Sequence, residues 1–155
     1  MRVSSALLLL SALWVATAAA NANPPEGIAM AMGIETPIQM YVGAGQDATS
    51  TQDASTVYQF TNLTDASVTL SAPDGCQAVT WTVTDPSGAV VEQSPACTAP
   101  GAPDSIVVPA GGKPVQRQST VALHVLDYKE NTTYTFHYAA FGLQSSATFT
   151  VTYLQ

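Results

Sequence analysis

Few residue types in this 155-residue chain are equipped for chemistry: two cysteines, Cys76 and Cys97, two histidines, His124 and His137, and four methionines. A zinc or copper centre built on the cysteines would need further Cys or His ligands at short spacing, and none lies near either. A dithiol redox centre would need C-x-x-C, which is absent. His137 alternates with Thr133 and Thr135 and is expected to face solvent, while His124 shares a face with Ala122 and Leu126. Neither has a second ligand beside it in sequence, so both read as structural. Met30, Met32 and Met40 would offer thioethers to copper, but a Met set without a local His or Cys reads better as an apolar lead-in. There is no nucleophile elbow, H-E-x-x-H, glycine-rich phosphate loop or carboxylate pair ahead of a helix. The expectation is a protein with no catalytic residue, no metal and no cofactor.

The cysteines bracket the stretch CQAVTWTVTDPSGAVVEQSPAC. In an exported protein two cysteines most often bridge, and the turn residues Asp85-Pro86-Ser87-Gly88 between them suggest a hairpin closed by a disulfide. Two registers stay open. With Pro86 and Ser87 as a two-residue turn, paired residues sum to 173, which sets Cys76 opposite Cys97 at a non-hydrogen-bonded pair about 4.5 Å apart. With a type I turn and a left-handed Gly88 the sum becomes 174. That register puts Val83 opposite Val91 and needs a second irregularity near Pro95 to restore the bridge.

The segments that would carry these residues read as strands. From Thr56 onward the hydrophobic period is two: TVYQF, SVTLS, AVTWTVT, AVVEQ, SIVV, STVALHVL, TYTFHYA and ATFTVTYL. Short alternating runs at spacings near ten residues predict an all-β, antiparallel immunoglobulin-like β-sandwich of seven to eight strands over 56–155. No stretch holds a helical stripe. Asn62-Leu63-Thr64-Asp65 suits a turn. Asn62 and Asn131 also match the N-glycosylation acceptor pattern. Residues 21–55 read as a flexible lead-in with one strand at Ile38–Val42, because Gly43 to Ser55 is small, polar and without period.

Met1-Arg2 followed by the apolar run Ala6–Ala20 reads as a signal peptide over 1–20, with an alternative cleavage after Ala22. The run is too short for a membrane span, and no cysteine follows it for lipidation. The expected location is secreted or periplasmic, with no membrane association after cleavage. The whole chain has 4 basic and 11 acidic residues. Without Arg2 the formal charge is −8, from 3 basic and 11 acidic residues, which repels phosphate backbones and excludes nucleic acid as a partner.

Function on such a scaffold belongs to its loops. Two stand out. Ser94 to Asp104 holds three prolines and is tied at Cys97. Its outer part, Thr98, Ala99, Pro100, Gly101, Ala102, Pro103 and Asp104, is the candidate binding loop, since a stiff segment loses little entropy on docking. The other is the hairpin tip from Ala139 to Ser146, where Phe141 and Leu143 are candidate contact anchors for a protein partner.

The run Tyr58-Gln59-Phe60-Thr61-Asn62 through Ser67-Val68-Thr69-Leu70, then Cys76, Val83-Thr84-Asp85 and Gly88, followed by Val108-Pro109-Ala110-Gly111-Gly112, resembles the intracellular proteinase inhibitor family of the BsuPI type over about residues 56–125. The resemblance implies an immunoglobulin-like sandwich and inhibition of a serine protease through surface loops. It carries over no reactive-site residue. The alternative is an envelope or surface adhesion module binding protein or glycan.

Overall fold

Period-two alternation becomes strand wherever it was expected, and strand also forms upstream where hydropathy showed no alternation. The computed structural model describes residues 25–76 and 78–154, so the expected signal peptide lies outside the described residues. The strands are β1 (Ile28–Ile34), β2 (Ile38–Tyr41), β3 (Thr51–Asn62), β4 (Val68–Ala72), β5 (Val79–Thr84), β6 (Val90–Gln93), β7 (Asp104–Val108), β8 (Val115–His124), β9 (Thr133–Ala140) and β10 (Leu143–Leu154). A single 3₁₀ turn at Val125–Asp127 follows β8. The chain is thus an all-β, immunoglobulin-like sandwich with ten strands among the described residues, rather than seven or eight.

One sheet has the order β1-β3-β8 and the facing sheet β2-β10-β9-β5-β6, while β4 and β7 form a separate two-stranded ribbon. All pairs are antiparallel except β2 with β10, which run parallel, so the second sheet is mixed. The first two strands therefore sit in opposite sheets and close the sandwich on one side.

Both strands fall in the segment expected to be a flexible lead-in with one strand at Ile38–Val42; β2 is that strand, and β1 corrects the rest of the reading. In β1 the bulky residues Ile28, Met30, Met32 and Ile34 are half-buried, while Ala29, Ala31 and Gly33 are exposed. The alternation is one of size rather than polarity, which is why it passes as a uniformly apolar stretch. In β2, Ile38 and Met40 are fully buried. The long loop also shrinks to Val42–Ser50, because β3 begins at Thr51. Its inward residues there are Ala54 and Thr56, both buried. The Thr56 hydroxyl donates to the Ser119 carbonyl at 3.0 Å and pairs with the Ser119 hydroxyl at 2.7 Å. Satisfying that hydroxyl is what lets a polar residue occupy a core position.

The core between the sheets is aromatic. Tyr58 on β3 meets Tyr138 on β9 with ring centroids 4.9 Å apart. Trp81 stacks on Phe136 at 5.6 Å, and Tyr134 on Phe149 at 5.6 Å. Burial of each such ring contributes about 1.5–3 kcal/mol. Asn62, wholly buried at the end of β3, makes the expected turn. Its amide donates to the Ala66 and Val108 carbonyls, and its oxygen accepts from the Thr64 N–H and hydroxyl. A side chain so enclosed is closed to glycosylation; Asn131, exposed in a turn with φ 57°, is open to it.

Candidate functional site

The 76–97 hairpin takes the second register at its turn and keeps it to Thr84 opposite Val90. Asp85 N–H donates to the Ala89 carbonyl, Gly88 N–H to the Asp85 carbonyl, and Gly88 is left-handed at φ 84°. These contacts are the type I turn with its glycine bulge, so residues next to the turn sum to 174. A second bulge then sets Val83 opposite Glu92 and Thr82 opposite Gln93. The expected Val83–Val91 pair is therefore absent, because Val91 is the extra residue of that bulge.

The cysteines sit beyond the ladder at both ends, where no register constrains them. Cys76 and Cys97 are bridged with Cα atoms 5.8 Å apart. From Gln93 the chain runs ten residues to β7 as an exposed loop, and the bridge is one of several fastenings. The Asp74 carboxylate accepts from the Gly101 N–H at 2.7 Å and from the Cys76 N–H at 3.0 Å. The Gly75 N–H donates to the Ala102 carbonyl at 3.0 Å. Contact is so close that a Cβ on Gly75 would lie 2.1 Å from the Ala102 oxygen, and one on Gly101 2.7 Å from the Cys76 nitrogen. At the far end Asp104 pairs with Arg117 at 2.8 Å, and Arg117 also donates to the Ser105 carbonyl at 2.8 Å. The hydrogen bond from Arg117 holds the Asp104 carboxyl below the usual carboxylate range.

Of the candidate loop residues, Thr98, Ala99, Pro100, Ala102 and Pro103 are exposed, whereas Gly101 and Asp104 are half-buried at the anchors. The result is a loop whose ends are fixed and whose crest is free.

The hairpin tip behaves differently. Phe141 and Gly142 both take positive φ, 51° and 79°, and form a two-residue turn between Ala140 and Leu143. Turns of this handedness match the twist of the flanking strands. Leu143 is only 7% exposed. Phe141 is half-buried, with its ring 5.8 Å from Phe60 and the Arg117 guanidinium 5.7 Å above it. The expectation of free apolar anchors at this tip is corrected: both side chains fold onto the core. Arg117 nonetheless brings the two candidate regions together, touching Asp104 of the loop and Phe141 of the tip.

His137 is exposed, as expected, and lies 3.1 Å from the Thr84 hydroxyl. His124 belongs to a cluster that was invisible in sequence. Its Nδ1 lies 2.6 Å from Glu92, which also accepts from the His124 N–H and from the Tyr128 hydroxyl at 2.8 Å. The Glu92 side chain is 9% exposed. Burial and the Glu92 charge push the Tyr128 hydroxyl well above the usual phenol range. Asp127 stands close enough to share a cation with Glu92 and His124, but the Glu92 carboxylate is already engaged by three donors. The cluster fastens β6 to the end of β8.

No protein-family model matches the chain, and no curated protein matches it in sequence. Solved structures similar to it include the β-glucosidase from Listeria innocua in complex with isofagomine, at 10% identity and TM-score 0.38, over 83% of this chain and 17% of the enzyme. Another is the Pseudomonas fluorescens alkylpurine DNA glycosylase AlkC bound to DNA containing an abasic site analog, at 13% identity and TM-score 0.37, over 81% of this chain and 30% of that one. This chain thus spans less than a third of either enzyme, and likeness at that level says nothing of activity.

Proposed function

We propose that this chain is an exported, non-catalytic binding module that presents Thr98–Asp104 to a protein partner, and that the partner is a serine protease which the loop inhibits. The observation that carries the reading is the double fastening of the loop. Cys97, Gly101, Ala102 and Asp104 are all held, and the side chains between them stay exposed. A loop ordered before contact avoids the roughly 0.5–1.5 kcal/mol that each newly immobilised side chain costs on association. A protease cleft accepts such an extended, stiff segment, and the resemblance over 56–125 narrows the partner to that class. The disulfide suits an oxidising compartment, and among the described residues no helix is long and apolar enough to cross a membrane.

Titration of the purified protein against subtilisin-like and trypsin-like enzymes tests this. The expected result is saturable inhibition that disappears when residues 98–103 are replaced by glycine and serine. Absence of inhibition at micromolar protein, or rapid cleavage within 98–104, refutes it.

A second reading, a surface module binding glycan, draws support from the outer face of β5, β9 and β10. There Thr80, Thr82, His137, Gln144 and Ser146 line a shallow groove of about 460 Å³, a row of hydroxyl and amide groups suited to sugar hydroxyls. Retention of the protein on insoluble polysaccharides, lost in Thr82→Val with Gln144→Ala, would favour it over inhibition.

A further inference from the structure

The enclosed carboxylate of Glu92 has more negative charge around it than its neighbours neutralise. Its side chain is 9% exposed, and the Asp127 carboxylate stands beside it: ligand atoms of Glu92, His124 and Asp127 all lie within 4.8 Å of one another. Among the described residues the ion pairs are Arg117 with Asp104 and His124 with Glu92, so no lysine or arginine pairs with either acid. One imidazole, a cation only when protonated, is set against two carboxylates. Enclosing a carboxylate is costly unless an opposite charge or a metal ion meets it, and a second carboxylate at this range adds to that cost.

The fold draws the three side chains together from two elements. His124 ends β8, and Asp127 closes the 3₁₀ turn that follows. Residues three apart eclipse on such a turn, which sets both on one side. Glu92 arrives from β6, where the bulge at Val91 turns it inward. The donors on Glu92 are unevenly divided between its oxygens. Oε2 accepts from the Tyr128 hydroxyl at 2.8 Å and from the His124 N–H at 3.2 Å. Oε1 meets one partner, His124 Nδ1, at 2.6 Å. Two donors thus steady the carboxylate from one side, as hydrogen-bonded metal ligands commonly are. Its other oxygen faces a nitrogen that is itself a ligand atom.

We infer that Glu92 Oε1, His124 Nδ1 and an Asp127 carboxylate oxygen form a site for a divalent transition-metal ion of the zinc type, which replaces the Nδ1–Oε1 hydrogen bond and keeps both bonds to Oε2. Nitrogen and oxygen held at about 2.1 Å by one tetrahedral ion stand roughly 3.4 Å apart, so His124 has to draw back by about 0.8 Å. Its side chain is 44% exposed and Asp127 is exposed, so both adjust freely and the ion enters from solvent. In the ligating tautomer the imidazole proton sits on Nε2. One nitrogen with two carboxylate oxygens suits zinc better than calcium, which takes about six to eight oxygens. Three protein ligands leave a fourth position for water. The ion would tie β6 to the turn after β8 more firmly than the hydrogen bond it displaces.

The test uses zinc chloride on untagged protein freed of metal with a chelator, and calcium chloride as its control. Calorimetric titration is expected to show saturable binding of a single zinc ion. The imidazole nitrogen resonances of His124 shift, those of His137 stay in place, and the melting temperature rises with zinc concentration. Asp127→Asn removes a ligand that takes no part in the hydrogen bonds to Glu92. It is expected to fold with a metal-free melting temperature at or above the parent's, and to bind zinc about tenfold more weakly or worse. His137→Gln binds zinc as the parent does. Absence of saturable binding at submillimolar zinc, or an unchanged affinity in Asp127→Asn, overturns the site. Shifts at His137 in place of His124 show an adventitious surface ion and overturn it as well. Calcium raising the melting temperature as much as zinc overturns the assignment to a transition metal.

Discussion

Replacing Cys76 and Cys97 together with alanine separates what the bridge does for the fold from what it does for the loop. The cysteines are 21 residues apart, and closing a loop of that length restricts the unfolded chain by about 3 kcal/mol at 25 °C. The native side loses little else, because the bridge lies outside the β5–β6 ladder and both sulfurs are near the surface. For a domain of this size each kcal/mol corresponds to roughly 3–6 °C, so the melting temperature should fall by about 10–15 °C. The Asp74 carboxylate and the Gly75–Ala102 hydrogen bond would still hold one side of the loop. Amide exchange should therefore accelerate at Gly101 by about an order of magnitude rather than to the free-chain rate, while the core amides of β9 slow or quicken only with global stability. Differential scanning calorimetry and hydrogen exchange read the two effects separately. A melting temperature lowered by less than about 3 °C, with Gly101 protection unchanged, would show that Asp74 alone fixes the loop and that the bridge adds nothing to its stiffness.

Three further outcomes follow from the same geometry. Glu92→Gln should cost about 1 kcal/mol and Glu92→Ala about 2–3 kcal/mol in urea denaturation, because the second leaves the buried Tyr128 hydroxyl without its acceptor, whereas the half-exposed His124 imidazole can turn to water. Gly75→Ala should cost about 1–3 kcal/mol and free the loop, since its Cβ meets the Ala102 carbonyl, a backbone atom that yields only if the loop moves; chymotryptic or subtilisin nicking within 98–104 reads the release. Asp104 has a folded pKa below its unfolded value of 3.8, chiefly through the Arg117 hydrogen bond. Its contribution is fully present above that unfolded value and is lost as pH falls through the folded one, so Asp104→Asn should flatten the acid limb of the stability profile below about pH 4 and leave the neutral plateau lower.

Sandwich architecture was legible because β3 from Thr56, β5, β8, β9 and β10 place large apolar residues at every second position. What escaped was coded in other terms. β1 alternates size, Ile and Met against Ala and Gly, with no polar residue to mark its outer face. The start of β3 points Ala54 and Thr56 inward, and a buried threonine is acceptable only because Ser119 lies opposite. Such a pairing is a fact about two strands 63 residues apart, and no window along the chain contains it. The tip at Phe141 failed for another reason: a left-handed Phe141 makes the turn only two residues long, so Leu143 already belongs to β10 and lies on its buried face, and Phe is seldom chosen for that conformation.

The loop was found from its prolines and its cysteine, but most of what holds it was not, and the difference is physical. Its anchors are largely backbone groups, the Gly101 and Gly75 N–H and the Ala102 carbonyl, which every sequence offers. The Glu92 cluster shows the same principle at a strand. In a continuous ladder Val91 would face the interior opposite Val83 and Glu92 would face water, as polarity suggests. The single extra residue Val91, opposite the step from Val83 to Thr84, turns Glu92 inward as well, and a bulge reverses facing for everything beyond it. A carboxylate buried by that slip is tolerable only with donors in place, and His124 and Tyr128 supply them from a different sheet edge. The bulge therefore does more than relieve the hairpin. It converts an exposed acidic residue into the fastening between β6 and β8, and so fixes the strand from which the loop toward Cys97 departs.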